Sequence, residues 1–323
     1  MSSASGQAPS AMKVAAAFGT VYLVWGSTYF FIRLSVEHIP PMLVGAFRYV
    51  FAGLLMLLWC ILTKEKIFSW RVIRPAVVSG LLLLLGGNGL LIWAEQYVPS
   101  SLAAILLSSG PIWFVVLDRG KWRENFRSKA TIWGLIVGSI GVLLLFGERL
   151  RSEAGEAAGG SGSRGMAALA VLVLASISWA AGSLYSKYKS VGNSNAVNAG
   201  WQMTAAGIGF VVCSLLAGEW GHFRPEQVPM LSWISIIYLV IMGSLVGYSA
   251  YTWLLQVRPA TQVSTHAYVN PVVAVLLGVI FLGERISILQ IFGLIVILCS
   301  VLLINLAKYR AGVGHRVLKF RPE

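Results

Sequence analysis

Few side chains in this sequence can do chemistry, and those few lie inside long apolar runs. Arg48 is the one strong cation well inside such a run. Its planar fork of donors could receive a carboxylate bidentately. It could equally snorkel to an interface or pair with Glu37 or Glu95. Gln202 occupies the matching depth in the second half of the chain. His266 is the single histidine inside a run, and imidazole titrates near neutral pH. With Gln262 and Asn270 it forms a polar stripe, because a spacing of four returns to one helix face. Such a stripe handles a solute or a proton, or it is a hydrogen-bonding seam worth about 0.6 kcal/mol per contact. Asn88 is a further deep amide, and Glu95 follows near the end of the same run as an interface acid. Trp25 and Trp179 fall near the middle of their runs, where they wall a cavity for an aromatic or apolar solute or fill a core. Pro111 and Pro271 each remove a backbone donor. The carbonyl so freed is tolerable only beside covering protein or a water-filled cavity.

What is missing narrows the chemistry. The sequence contains no HExxH, no GxSxG and no paired carboxylates inside its apolar runs. Cys60, Cys213 and Cys299 have no metal-ligand spacing and read as small buried residues. No metal and no cofactor is expected.

These residues need elements to hold them. Of 323 residues, 57% are hydrophobic and 11% charged, against about 25% charged in soluble domains. The apolar runs have the length of about 20 residues that crosses a bilayer core. They read as 12–34, 41–63, 72–94, 98–117, 130–147, 166–187, 196–216, 231–254, 261–282 and 288–307. The expectation is an all-α integral membrane protein of ten transmembrane helices. The uncharged start Met1–Ser10 does not resemble a cleaved signal.

The chain also repeats itself. GLIVGSIGVLLL at 134–145 and GLIVILCSVLLI at 293–304 agree at seven of twelve positions, 159 residues apart. Gly87, Trp93, Gln96, Pro99 and Pro111 return as Gly247, Trp253, Gln256, Pro259 and Pro271, and Ala52-Gly53 returns as Ala206-Gly207. Trp25 returns as Trp179. A long internal repeat in so apolar a chain points to a duplicated transporter. An odd number of spans per repeat inverts the second against the first, so the design is two inverted five-helix repeats. With the N-terminus in the cytoplasm, 18 of the 25 Lys and Arg fall on inner segments and 6 on outer ones, Arg48 being the remainder. Both termini are therefore expected in the cytoplasm. The net charge of +13 is a topology signal, and no nucleic-acid partner is expected. The expected layout is a tail 1–11, a first five-helix repeat 12–147, an external linker 148–165, a second repeat 166–307 and a basic cytoplasmic tail 308–323. Gly134 with Gly138, and Gly243 with Gly247, permit close helix contact.

Together these features resemble the ten-helix EamA-type permeases of the drug/metabolite transporter superfamily. The likeness rests on Trp25-Gly26-Ser27-Thr28, Ala46-Phe47-Arg48, Ala94-Glu95-Gln96-Tyr97, Pro111, Pro271 and Leu282-Gly283-Glu284-Arg285. The resemblance implies secondary active transport, often export, of amino acids, other metabolites or drugs through a cavity between the repeats. The expected location is the inner (plasma) membrane, multi-pass. The expected partners are a small-molecule substrate and the lipid bilayer, with a proton as candidate coupling ion and a monomer or weak homodimer as the assembly. The rivals are an exporter of cationic or aromatic drugs, a membrane-embedded lipid-modifying enzyme and a channel. A channel usually needs symmetric rings of subunits. The substrate-facing candidates are Trp25, Arg48, Asn88, Trp179, Gln202, Gln262, His266 and Asn270, with helix breaks at Pro111 and Pro271.

Overall fold

A computed structural model of the chain describes residues 10–155, 162–190, 194–258, 263, 265–300 and 302–303, and these contain helices and no strand. The long helices are α1 (Ala11–Val36), α2 (Pro41–Leu62), α3 (Trp70–Ala94), α4 (Ser100–Leu117), α5 (Lys129–Gly155), α6 (Gly162–Lys189), α7 (Asn195–Leu216), α8 (Met230–Val257), α9 (His266–Leu282) and α10 (Ile288–Ser300). Seven of them, α1 to α4 and α6 to α8, are long and apolar enough to cross a membrane. The apolar parts of α5, α9 and α10 are shorter: Lys129–Leu145, Val269–Leu282 and Ile288–Ser300.

Hydrophobicity does not decide which face points inward, because both faces are apolar. In α2, Phe51, Leu54, Leu55, Leu58, Trp59 and Leu62 are exposed, as suits lipid, while Ala46, Ala52, Gly53 and Cys60 are buried. Small residues face the protein because they let backbones approach. α2 lies along α7, and the repeat-related glycines make the crossing. A Cβ on Gly53 would meet the Thr204 backbone nitrogen at 2.7 Å, and one on Gly207 would meet that of Val50 at 2.7 Å. Around this pair, α1 packs on α8 and α9, and α6 packs on α3 and α4. Gly138 meets Ile112 and Ser300, and Gly243 meets Arg48 and Thr28, so these close contacts lie within the chain.

At one end of the bundle, two carboxylates from the second half cap helices of the first. The first backbone N–H groups of a helix have no partner within it, and the helix dipole favours negative charge there. Glu219 accepts from the N–H groups of Met42 (3.1 Å) and Leu43 (2.9 Å) at the start of α2. Glu284 accepts from the Ser100 N–H (2.8 Å), the Ser100 hydroxyl (2.7 Å) and the Ser101 N–H (3.0 Å) at the start of α4.

Several expectations need correction. The expected external linker 148–165 is helical at its described ends: α5 runs to Gly155 and α6 starts at Gly162. Glu148 to Ala154 are mostly good helix formers, so the helix continues past its apolar part. The helix break expected at Pro111 does occur, since the run at 98–117 is two helical pieces, Ser100–Leu107 and Gly110–Leu117. Pro111 lacks the donor that would bridge them. Its counterpart Pro271 sits inside an unbroken α9. Cys60 is buried as expected, but Cys299 is exposed, which an apolar lipid-facing thiol tolerates. Glu95 is not an interface acid, since it is fully buried.

Candidate functional site

The middle of α3 and of α8 departs from α-helical hydrogen bonding. Leu81–Gly89 and Leu239–Tyr248 are π-helical, one segment in each half. Widened turns of this kind are costly and gather at functional sites. Here they bring Gly87 and Asn88 of α3 and Gly243, Ser244 and Tyr248 of α8 to one cavity. Its empty volume is about 810 Å³, open mouth included.

Arg48 lines this cavity and is 3% exposed. Its Nε donates to Ser244 Oγ (2.9 Å) and its Nη1 to Asn88 Oδ1 (3.1 Å). The Tyr49 ring lies 4.9 Å below the guanidinium carbon. Neither Glu37 nor Glu95 pairs with it, and Glu37 instead faces Arg33 at 3.5 Å. Arg48 is thus a buried cation held by neutral acceptors. Among the described residues lining the cavity, none is Asp or Glu. The walls are aromatic. Trp25 stands edge-on to Trp179 at 5.4 Å and lies 4.7 Å from Tyr251, with its indole N–H on the Gly243 carbonyl at 3.1 Å. Tyr29 and Phe114 also line the space.

Of the expected site residues, Trp25, Arg48, Asn88, Trp179, His266 and Asn270 come together here, joined by Pro111 at the break in α4. Gln202 does not reach the cavity. It is fully buried one layer out, donating to Ser79 (2.7 Å) and Ser186 (3.2 Å) and accepting from the Tyr248 hydroxyl at 2.6 Å. It therefore fixes Tyr248, whose ring does line the cavity. Gln262 lies outside the described residues. Pro271 follows Asn270 in α9 but is not part of the lining. The two described members of the polar stripe, His266 and Asn270, line the cavity and also make hydrogen bonds of their own. The Asn270 amide nitrogen donates to the carbonyls of Tyr22 (3.2 Å) and His266 (3.1 Å). His266 Nδ1 lies 2.9 Å from the Val263 carbonyl, so Nδ1 carries the proton. Its ring packs edge-on against Trp25 and Tyr251.

Reasoning from sequence missed Tyr29, Tyr49, Ser176, Ser244 and Tyr248. One signal was available for Tyr248, which stands 160 residues after Asn88, the offset that relates Gly87 to Gly247. Ser176 is 2% exposed, and its hydroxyl has no hydrogen-bond partner.

Comparison with known proteins agrees with this architecture. A model of the EamA-like transporter family matches residues 13–147 and again 166–306. The uncharacterised inner membrane transporter YedA of Escherichia coli K12 is 35% identical over 293 residues, covering 90% of this chain and 89% of its own. The uncharacterised transporter YoaV of Bacillus subtilis is 26% identical over 90% of this chain and 96% of its own. A probable amino-acid metabolite efflux pump of Salmonella typhimurium is 24% identical over 92% of this chain and 96% of its own. A crystal structure of 17% identity superposes with a TM-score of 0.61 over 91% of this chain, which speaks to the fold alone. With both halves matched by one family model and a relative at this identity along nearly the whole chain, the protein belongs to the EamA-like transporter family.

Proposed function

We propose that this inner-membrane, multi-pass protein is a secondary transporter that exports small organic solutes bearing a carboxylate on an apolar or aromatic body. Amino acids and related metabolites are the leading class. One observation carries this reading: a buried guanidinium, with no acid partner among the described residues, faces an aromatic-walled cavity whose described lining holds no carboxylate. A carboxylate entering there supplies the charge that Arg48 lacks. The ring faces of Trp25 and Trp179 supply apolar area, and the unpartnered Ser176 hydroxyl offers a further polar contact. The same charge argues against a cationic drug, which needs an acid in the site. The relative named as a probable amino-acid metabolite efflux pump supports the same class. A membrane-embedded enzyme remains the non-transport alternative, and no described group of His, Cys, Asp and Glu could hold a metal for it.

The mechanism we propose is alternating access between two inverted five-helix repeats, ten spans in all, with both ends cytoplasmic. Three reciprocal contacts support it. Gly53 and Gly207 each seat the opposite repeat's helix. Trp25 sits on Gly247, and Trp179 sits on Gly87. Arg48 bonds Asn88 in one half, and Gln202 bonds Tyr248 in the other. Each pair maps onto its partner at the repeat offset, as a two-fold axis in the membrane plane requires. Energy would come from an ion or solute gradient, with the chain working as a monomer or weak homodimer.

Counterflow in proteoliposomes tests the function. Vesicles loaded with unlabelled phenylalanine or phenylacetate should take up the labelled compound with saturation, and a cationic dye should not compete. Unitary currents would indicate a channel instead, and a modified lipid product an enzyme.

A further inference from the structure

We propose that Glu95 is a proton-binding site: its carboxyl is neutral while the face carrying Glu219 and Glu284 is closed, and it releases its proton to water when that face opens. This deepens the transport reading and rests on it for its consequence, though not for its test.

Glu95 lies in the loop between α3, which ends at Ala94, and α4, which starts at Ser100. It is fully buried, and both carboxyl oxygens are buried without a hydrogen-bond partner. An ionised carboxylate placed so has lost its water and gained no donor, which costs far more than burying the neutral acid. The charged and titratable groups around it are Arg33, Arg48, Glu284 and Tyr29. None neutralises it by contact. Arg33 donates to the backbone carbonyl of Glu95 and pairs with Glu37. Arg48 is turned to Asn88 and Ser244. Glu284 is itself acidic and holds the start of α4. Loss of water raises the Glu95 carboxyl well above the ordinary carboxylate range, Glu284 adds to the rise, and Arg33 and Arg48 oppose it.

Placement gives the site its role. Glu95 sits five residues before Ser100, where Glu284 of the second half fastens the first. It is also within electrostatic reach of Tyr29, a wall of the cavity. Separating the halves at this face breaks the Glu284 contacts and admits water to Glu95. Its proton then passes to that water, and reclosure takes one up again. The coupling ion of the transport cycle would thus be carried by Glu95.

Infrared spectroscopy of the purified full chain in detergent tests the site without knowledge of the substrate. At neutral pH the wild type should show the C=O stretch of a protonated carboxyl, and Glu95→Gln, which mimics the neutral acid in shape, should lack it. The melting temperature gives a second readout. The unfolded glutamate ionises near pH ~4.3, while the folded one keeps its proton. Stability from this site is therefore full below that pH and is lost as pH rises towards the folded value. The wild-type melting temperature should fall between pH 5 and pH 8 by more than that of Glu95→Gln. A wild-type spectrum without the band, a band that survives in Glu95→Gln, or equal pH slopes of melting would each overturn the proposal. Absence of counterflow in the wild type would instead sink the transport reading and leave the infrared result standing.

Discussion

Replacing Arg48 with glutamine separates recognition from support, because only the second role predicts a large loss of stability. The guanidinium makes two hydrogen bonds, both to neutral acceptors, at 2.9 and 3.1 Å. No described carboxylate lies within ion-pair distance of it. Removing it strands no buried acid. It does relieve an uncompensated buried charge, whose desolvation costs several kcal/mol. Against that stand two lost charge-assisted bonds of about 1.5–3 kcal/mol each. The two terms offset, so ligand-free Arg48→Gln should melt at or near the wild-type temperature. Binding should change greatly. A carboxylate that loses its charged partner loses about 1.5–3 kcal/mol, or about 10- to 150-fold in affinity at 1.4 kcal/mol per tenfold. Arg48→Lys keeps the charge but cannot hold Ser244 and Asn88 as a fork does, and should fall in between. Calorimetric titration of phenylacetate and phenylacetamide, with melting curves of each variant, measures both quantities. Weakening should be confined to the carboxylate. Equal loss for the uncharged amide, or a ligand-free variant that melts far below the wild type, would refute the assignment and make Arg48 a structural residue.

Gly53→Ala and Gly207→Ala should each destabilise by about 1–3 kcal/mol through overpacking at the α2–α7 crossing. Gly19→Ala, with nothing within 4 Å of its Cβ, should be neutral or slightly stabilising in the same melting assay. His266→Gln should leave the pH dependence of solute accumulation at its wild-type form if Glu95 carries the proton as proposed; a flattened profile would return the proton to His266. Single cysteines at Arg123 and Ser161, in a background without native cysteines, should label from opposite sides of the membrane, Ser161 from outside. Labelling from the same side would contradict the inverted repeat.

The sequence by itself determined the kind of protein. Long apolar runs, the basic residues gathered between alternate runs and the repeat at offsets of 154 to 160 residues each follow from local composition and order. Membrane crossing depends on them directly, because a helix satisfies its own backbone wherever the solvent cannot. Candidate site residues were legible for a related reason: a polar side chain inside an apolar run is costly and needs a use. That reasoning found Arg48, Asn88, His266 and Asn270, and mid-run depth found Trp25 and Trp179, all of which line the cavity. It could not say what each one touches. Gln202 and Arg48 are repeat partners, yet one sits behind Tyr248 and the other faces the cavity, because their neighbours on α3 and α8 differ. The π-helical turns at Leu81–Gly89 and Leu239–Tyr248 carry no local signal beyond their glycines. They shift the register of every later residue, and so they settle that Ser244 and Tyr248 reach the site. Glu95 shows the limit most plainly. Its place near the end of a run suggested water, and only the tertiary packing left both of its oxygens buried without a partner. Burial and partnership are properties of neighbours brought together from distant parts of the chain, so tertiary structure alone decided them.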